Sequence, residues 1–99
     1  MTLHILNQPA SHLATSQVFS AINPDDHLLL IEEAVTAVLS IENENWKPLI
    51  GQASVLYEDL LSRGLADKID NGCLNGFKVI DIRGFVALTE QFAQVVTWT

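Results

Sequence analysis

Leu28 to Ile31 is an unbroken apolar run, and the pattern changes directly after it. A strand without polar alternation is buried on both faces, as in a parallel sheet covered by helices. Glu32 and Glu33 end the run. Beyond them Ala34, Ala37, Val38 and Ile41 recur at i, i+3, i+4 and i+7, one face of a helix running to about Ser40. A central strand therefore turns into a helix at its carboxyl end. In open α/β sheets ligands collect at that edge.

The remainder of the chain alternates in the same way. Leu3 to Leu6 reads as a short apolar strand interrupted by His4 and broken by Asn7, Gln8 and Pro9. Ser11 is placed to cap a helix whose inner face is Leu13, Ala14, Val18, Ala21 and Ile22. Asn23-Pro24-Asp25-Asp26 is a turn by composition. Glu42 to Pro48 reads as a polar loop carrying Trp46, before a third strand at Ala53 to Tyr57. In Glu58 to Gly64 the acids fall in a first helical turn, Arg63 in the last, and Gly64 is placed to stop it. Asp67 to Gly76 reads as a loop and Lys78 to Ile82 as a fourth strand. Arg83 to Phe92 is a fourth helix with Phe85, Leu88, Thr89 and Phe92 on one face, and Gln94 to Trp98 a last strand. Five strands alternating with four helices predict a three-layer α/β/α sandwich with a five-stranded, largely parallel sheet. With no repeat or linker in 99 residues, the expectation is one domain over 1–99.

Charge and cysteine usage narrow the function. A formal charge of −7 repels phosphate backbones and argues against direct nucleic-acid binding. Lys47, Arg63, Lys68, Lys78 and Arg83 are scattered and form no patch. No apolar run reaches the length of a membrane-spanning helix, and the opening MTLHIL lacks a secretory pattern, which points to the cytoplasm. One cysteine makes neither an internal disulfide nor a zinc cluster and fits a reducing compartment.

The residues offer little chemistry. Neither standard phosphate-binding glycine motif is present, and His4, His12 and His27 have no metal spacing, so no cofactor or metal is expected. His4 reads as a strand histidine with a satisfied hydrogen bond, His12 and His27 as surface residues. Glu32 and Glu33 fit an acid–base pair, but a negative first helical turn carries more weight. Asp81 reads as a helix cap, and Trp46 and Trp98 as packing or interface anchors. Cys73 is the only soft nucleophile and the one catalytic candidate. A reactive thiol needs a cation, a histidine or a helix amino terminus beside it. Lys68 and Lys78 are near Cys73 in sequence, but so are Asp67 and Asp70, so an incidental thiol outweighs a carrier. Val35, Leu39 and Val86 extend the helices' apolar surface beyond one stripe, which suggests a partner.

Several stretches resemble the TusB/DsrH family of sulfur-relay proteins. Leu3-His4 with Asn7 and Pro9 is similar to its opening, and Leu28 to Val35 to its apolar strand followed by an acidic pair. Leu56 to Leu65, Ile80-Asp81 with Gly84-Phe85-Val86 and Leu88-Thr89, and the late Trp98 resemble further family segments in the right order. The resemblance implies a DsrEFH-like fold and a subunit that joins TusC-like and TusD-like paralogues in a heterohexamer. Such a complex passes persulfide sulfur from a TusA-like donor to a TusE-like acceptor, toward 2-thiolation of tRNA wobble uridine. Ile5 stands where the family has threonine, and the first helix lacks the cysteine that some DsrH-like members carry there. Cys73 matches no family motif. The resemblance therefore implies a structural or docking subunit without its own carrier, probed against two alternatives: a stand-alone persulfide carrier using Cys73, and a subunit of a dissimilatory sulfur-oxidation complex. A receiver-like module would need an acid pair after the first strand, where Asn7-Gln8-Pro9 stands.

Overall fold

The computed structural model describes residues 1–9, 11–40 and 46–99. Its strands are β1 (Thr2–Leu6), β2 (His27–Leu30), β3 (Ala53–Leu56), β4 (Cys73–Leu74), β5 (Phe77–Ile80) and β6 (Gln94–Trp98). They form one sheet in the order β4-β5-β3-β2-β1-β6, parallel except for the β4–β5 pair. Its α-helices are α1 (Leu13–Ala21), α2 (Tyr57–Ser62) and α3 (Ile82–Gln91). The mixed α/β, mostly parallel architecture agrees with the sequence reading, with six strands where five were expected.

Connection handedness sorts the helices. From β1 through β2 and β3 to β5 the chain steps one way across the sheet, and the return from β5 to β6 crosses back over it. Right-handed crossovers then put α3 on the face opposite the other helices. The packing agrees. Leu6, Leu28, Leu30, Val55 and Phe77 meet α1, α2 and Trp46 in the larger core. Leu3, Ile5 and Leu29 meet Phe85 and Leu88 of α3, and Phe92 directly after it, in a smaller one. Leu28, Leu29 and Leu30 are all buried, so the central strand is covered on both faces.

The additional strand comes from turn chemistry inside the expected loop. Asn75-Gly76 sits between Leu74 and Phe77, which are ladder partners, and both turn residues have positive φ, 49° and 90°. Asn-Gly with two positive φ values is the two-residue turn that matches strand twist. Asn71-Gly72 repeats the device at φ 53° and 75° between Asp70 and Cys73. Asp70 N–H donates to Cys73 O at 2.8 Å and Cys73 N–H to Asp70 O at 3.0 Å. Ala66–Lys68 forms a 3₁₀ turn, so this stretch is an ordered double turn rather than a loop.

The second helix is 3₁₀ over Glu32–Ser40, not α. Its sequence reads in threes: Glu33, Thr36 and Leu39 stay on the outer side, while Ala34/Ala37 and Val35/Val38 are buried. Three residues per turn suits that repeat better than 3.6. Val35 is therefore core rather than surplus surface. Ile41 and residues 42–45 lie outside the described residues. Lys47–Gln52 is a second 3₁₀ helix where loop was expected up to Pro48. The α1 cap is His12, not Ser11: its Nδ1 accepts from Ala14 N–H at 3.0 Å. Asp81 caps α3 as expected, accepting from Gly84 N–H at 3.0 Å.

Candidate functional site

The carboxyl edge of the sheet collects acids, and the folded chain gives four of them structural partners. Asp59 Oδ2 accepts from Glu32 N–H at 2.6 Å, holding Glu32 at φ 51° where β2 passes into the 3₁₀ helix. Glu58 Oε2 accepts from Ile82 N–H at 3.3 Å, and Asp81 caps the same helix. Arg63 Nη2 lies 2.9 Å from Glu33 Oε1, and Arg63 Nη1 lies 4.0 Å from Asp59 Oδ1. Glu33 is thus engaged by Arg63 rather than free to serve as half of an acid–base pair. A cavity of about 530 Å³ opens at this edge beside Tyr57, Ile69, Val79, Ile80 and Asp81. Its walls are mostly apolar, and Asp81 is already engaged as a cap.

Cys73 directly follows Gly72, which also lines this cavity, and lies on edge strand β4 with its side chain exposed. The two hydrogen bonds to Asp70 and pairing with β5 fix its backbone, contrary to the loose loop expected from sequence. Cys73 stands opposite Lys78 in the antiparallel register. Directly opposed residues leave the sheet on the same face. Of the two lysines near it in sequence, Lys78 is the one that the ladder places beside it.

A buried polar network closes the opposite end of the molecule. His4 is 4% exposed and Asp26 6%. His4 Nε2 is 2.9 Å from Asp26 Oδ2, and the Trp98 indole N–H donates to His4 Nδ1 at 3.1 Å. An indole N–H only donates, so Nδ1 is the acceptor and the imidazole proton sits on Nε2, facing Asp26. Thr2 N–H and Asn23 N–H also donate to Asp26, at 2.8 and 3.0 Å. Burial pushes the Asp26 carboxyl up, but the hydrogen bonds from His4, Asn23 and Thr2 and the field of His4 outweigh it and bring it down to about 2. The network ties β1, β6 and the entry to β2 together, and the expectation of a satisfied His4 holds.

His27 is not the surface residue expected. It is half-buried, and its Nε2 lies 2.8 Å from Ser54 Oγ. Burial, then the nearby Lys78 ammonium, lowers its pKa, so the imidazole is neutral at neutral pH. Ser54, a polar residue within a fully buried strand, was the sequence signal for this pair. Trp46 is a core anchor as expected, edge-on to Phe19 and Phe77 at centroid distances of 4.9 and 5.9 Å.

The late Trp98, the capped β5–α3 junction and the central β2 now stand in one sheet. A family model described as DsrH like protein matches residues 8–95. The chain belongs to the DsrH-like family. No curated protein sequence matches it. Family membership gives this DsrH-like chain a sulfur-relay-related role and association with sulfur-relay partner proteins. No helix among its described residues is long and apolar enough to cross a membrane.

Proposed function

We propose that this DsrH-like chain is a structural, docking subunit of a heteromeric sulfur-relay complex in the cytoplasm, without a sulfur-carrying cysteine of its own. Its neighbours would be TusC-like and TusD-like paralogues in a heterohexamer. That complex would move persulfide sulfur from a TusA-like donor to a TusE-like acceptor, toward 2-thiolation of tRNA wobble uridine. The observation that carries the reading is α3. This amphipathic helix has no fully buried residue, and it leaves Ile82 55% and Val86 50% exposed beside its contacts to the sheet. A helix that covers a sheet face so incompletely presents an apolar surface for another chain. The acids of the carboxyl edge support the same view, because four of them already serve as caps and struts.

One observation favours a second reading, in which Cys73 carries the sulfur. Lys78 stands across the ladder from it, and a neighbouring cation in general favours the thiolate that such a carrier needs. Against it stands the absence of a matching family motif.

Co-expression with TusC-like and TusD-like chains tests the docking reading. The three chains should elute together on size exclusion, and the double substitution Ile82→Asp with Val86→Asp should release this chain while leaving its circular dichroism unchanged. Co-elution that survives the double substitution would remove α3 from the interface. A monomer that binds neither paralogue would end the docking proposal.

A further inference from the structure

The α3 face of the sheet carries an unusual polar row. Register aligns Leu29 of β2, Ser54 of β3 and Lys78 of β5 side by side, and His27 lies one row earlier on β2. Ser54 is 1% exposed. Burying a hydroxyl in a central strand is unfavourable unless it is hydrogen-bonded, and here His27 supplies the partner. Leu29 is sealed into the core, but His27, Ser54 and Lys78, together with Gln91, Ile80 and Leu88, line a cavity of about 210 Å³ under α3.

The lining has a definite chemical character. No carboxylate is among the described lining residues, in a chain with 12 acids and 5 bases. Lys78 makes no ion pair among the described residues. The imidazole is neutral, so Lys78 supplies the positive charge. When the neutral ring holds its proton on Nε2, it donates to Ser54 Oγ, and the Ser54 O–H is then free to donate into the cavity. Gln91 adds an amide. Ile80, Leu88 and the Ala87 methyl form the other wall. The space equals that of roughly seven liquid waters, enough for a small acid and too little for a nucleotide.

We propose that this cavity is a binding site for a small organic anion, its carboxylate head met by Lys78, Ser54 and Gln91 and its short aliphatic tail packed against Ile80 and Leu88. The cavity adjoins the carboxyl-edge one through Ile80 and Gly84, but its polar groups lie outside that cavity and it uses neither Ile82 nor Val86, so it stands independently of the docking reading.

The test is a titration of the ¹⁵N-labelled chain with butyrate, followed by amide chemical shifts. Butyramide is the neutral control, butylamine the cationic one and thiosulfate a purely inorganic anion. Saturable shifts are expected at Ser54, Lys78, Leu88 and Gln91 with butyrate. Butyramide and thiosulfate should bind at least about tenfold more weakly, and butylamine not at all. Lys78→Met, at an exposed position, should weaken butyrate at least about tenfold, and Ser54→Ala by several-fold, each with the spectrum otherwise preserved. Butyrate shifts that do not saturate, equal binding of butyramide, or an unchanged affinity in Lys78→Met would overturn the proposal. Equal binding of thiosulfate and butyrate would overturn its organic part.

Discussion

Replacing Asp26 by asparagine should cost this small protein a large share of its stability. Three donors converge on the carboxylate: Thr2 N–H at 2.8 Å on one oxygen, and His4 Nε2–H at 2.9 Å with Asn23 N–H at 3.0 Å on the other. Asparagine offers one acceptor oxygen, and its NH₂ must face at least one of those donors. A buried donor left unsatisfied costs about 1–3 kcal/mol, and the loss of charge assistance to the remaining bonds adds to it. The expected loss is ~2–4 kcal/mol, against a total of roughly 5–15 for a domain. The pH dependence has a definite sign. The Asp26 carboxyl is lowered from 3.8 to about 2 in the folded chain. The stabilisation from its ionised form is therefore complete above pH 3.8 and is lost as pH falls through the folded value near 2. A drop of that size, discounted for screening by water near the end of the sheet, corresponds to ~1–2 kcal/mol. Urea unfolding followed by tryptophan fluorescence, with Trp98 stacked on His4, reads both effects. The wild-type midpoint should fall between pH 4 and 2, and Asp26→Asn should start lower at pH 7 and lose that limb. A loss under about 1 kcal/mol at pH 7, or an acid limb that persists in the variant, would refute the assignment of Asp26 as the network's hub.

Two further substitutions probe the packing. A Cβ added at Gly84 would meet Ile80 Cβ at 2.9 Å, so α3 must lift from β5 in Gly84→Ala. Strain of about 1–3 kcal/mol, offset by ~1 of helix propensity, leaves a net loss near 1 in thermal unfolding, whereas a gain would mean the close approach is absent. Trp46→Ala should cost ~3–5 kcal/mol, while Trp46→Phe costs far less, because the buried indole N–H has no partner among the described residues to lose. Equal losses in the two variants would show that the N–H is bonded after all.

The parallel sheet was legible because the apolar strands are short, unbroken and separated by helical periodicity. Leu28 to Leu30 and Ala53 to Leu56 are buried as their patterns require. The double turn around Cys73 was legible too, in two Asn-Gly pairs, but a glycine-rich polar stretch reads as loop unless each pair is taken as a hairpin signal. The 3₁₀ geometry of Glu32–Ser40 was harder to see, since Ala34, Ala37 and Val38 satisfy both a period of three and one of 3.6. Turn composition gave Asn23 to Asp26 its place but not the burial of Asp26, which depends on β1 and β2 lying side by side. The same holds for His27 and Ser54, separated by 26 intervening residues and joined only by strand register. Sequence spacing placed Lys68 and Lys78 equally near Cys73; the antiparallel ladder chose Lys78.

The central claim is that this DsrH-like chain serves sulfur transfer without carrying sulfur. A carrier thiolate must attack a donor persulfide and then offer its outer sulfur to an acceptor, so a serine in its place stops the relay. The decisive measurement is the 2-thiouridine content of tRNA in cells lacking the native chain and supplied with Cys73→Ser. The account predicts near wild-type 2-thiouridine with Cys73→Ser and loss of it when the whole chain is deleted. If Cys73→Ser behaves like the deletion while its protein still assembles with the partners, Cys73 is a carrier and the docking-only account is wrong.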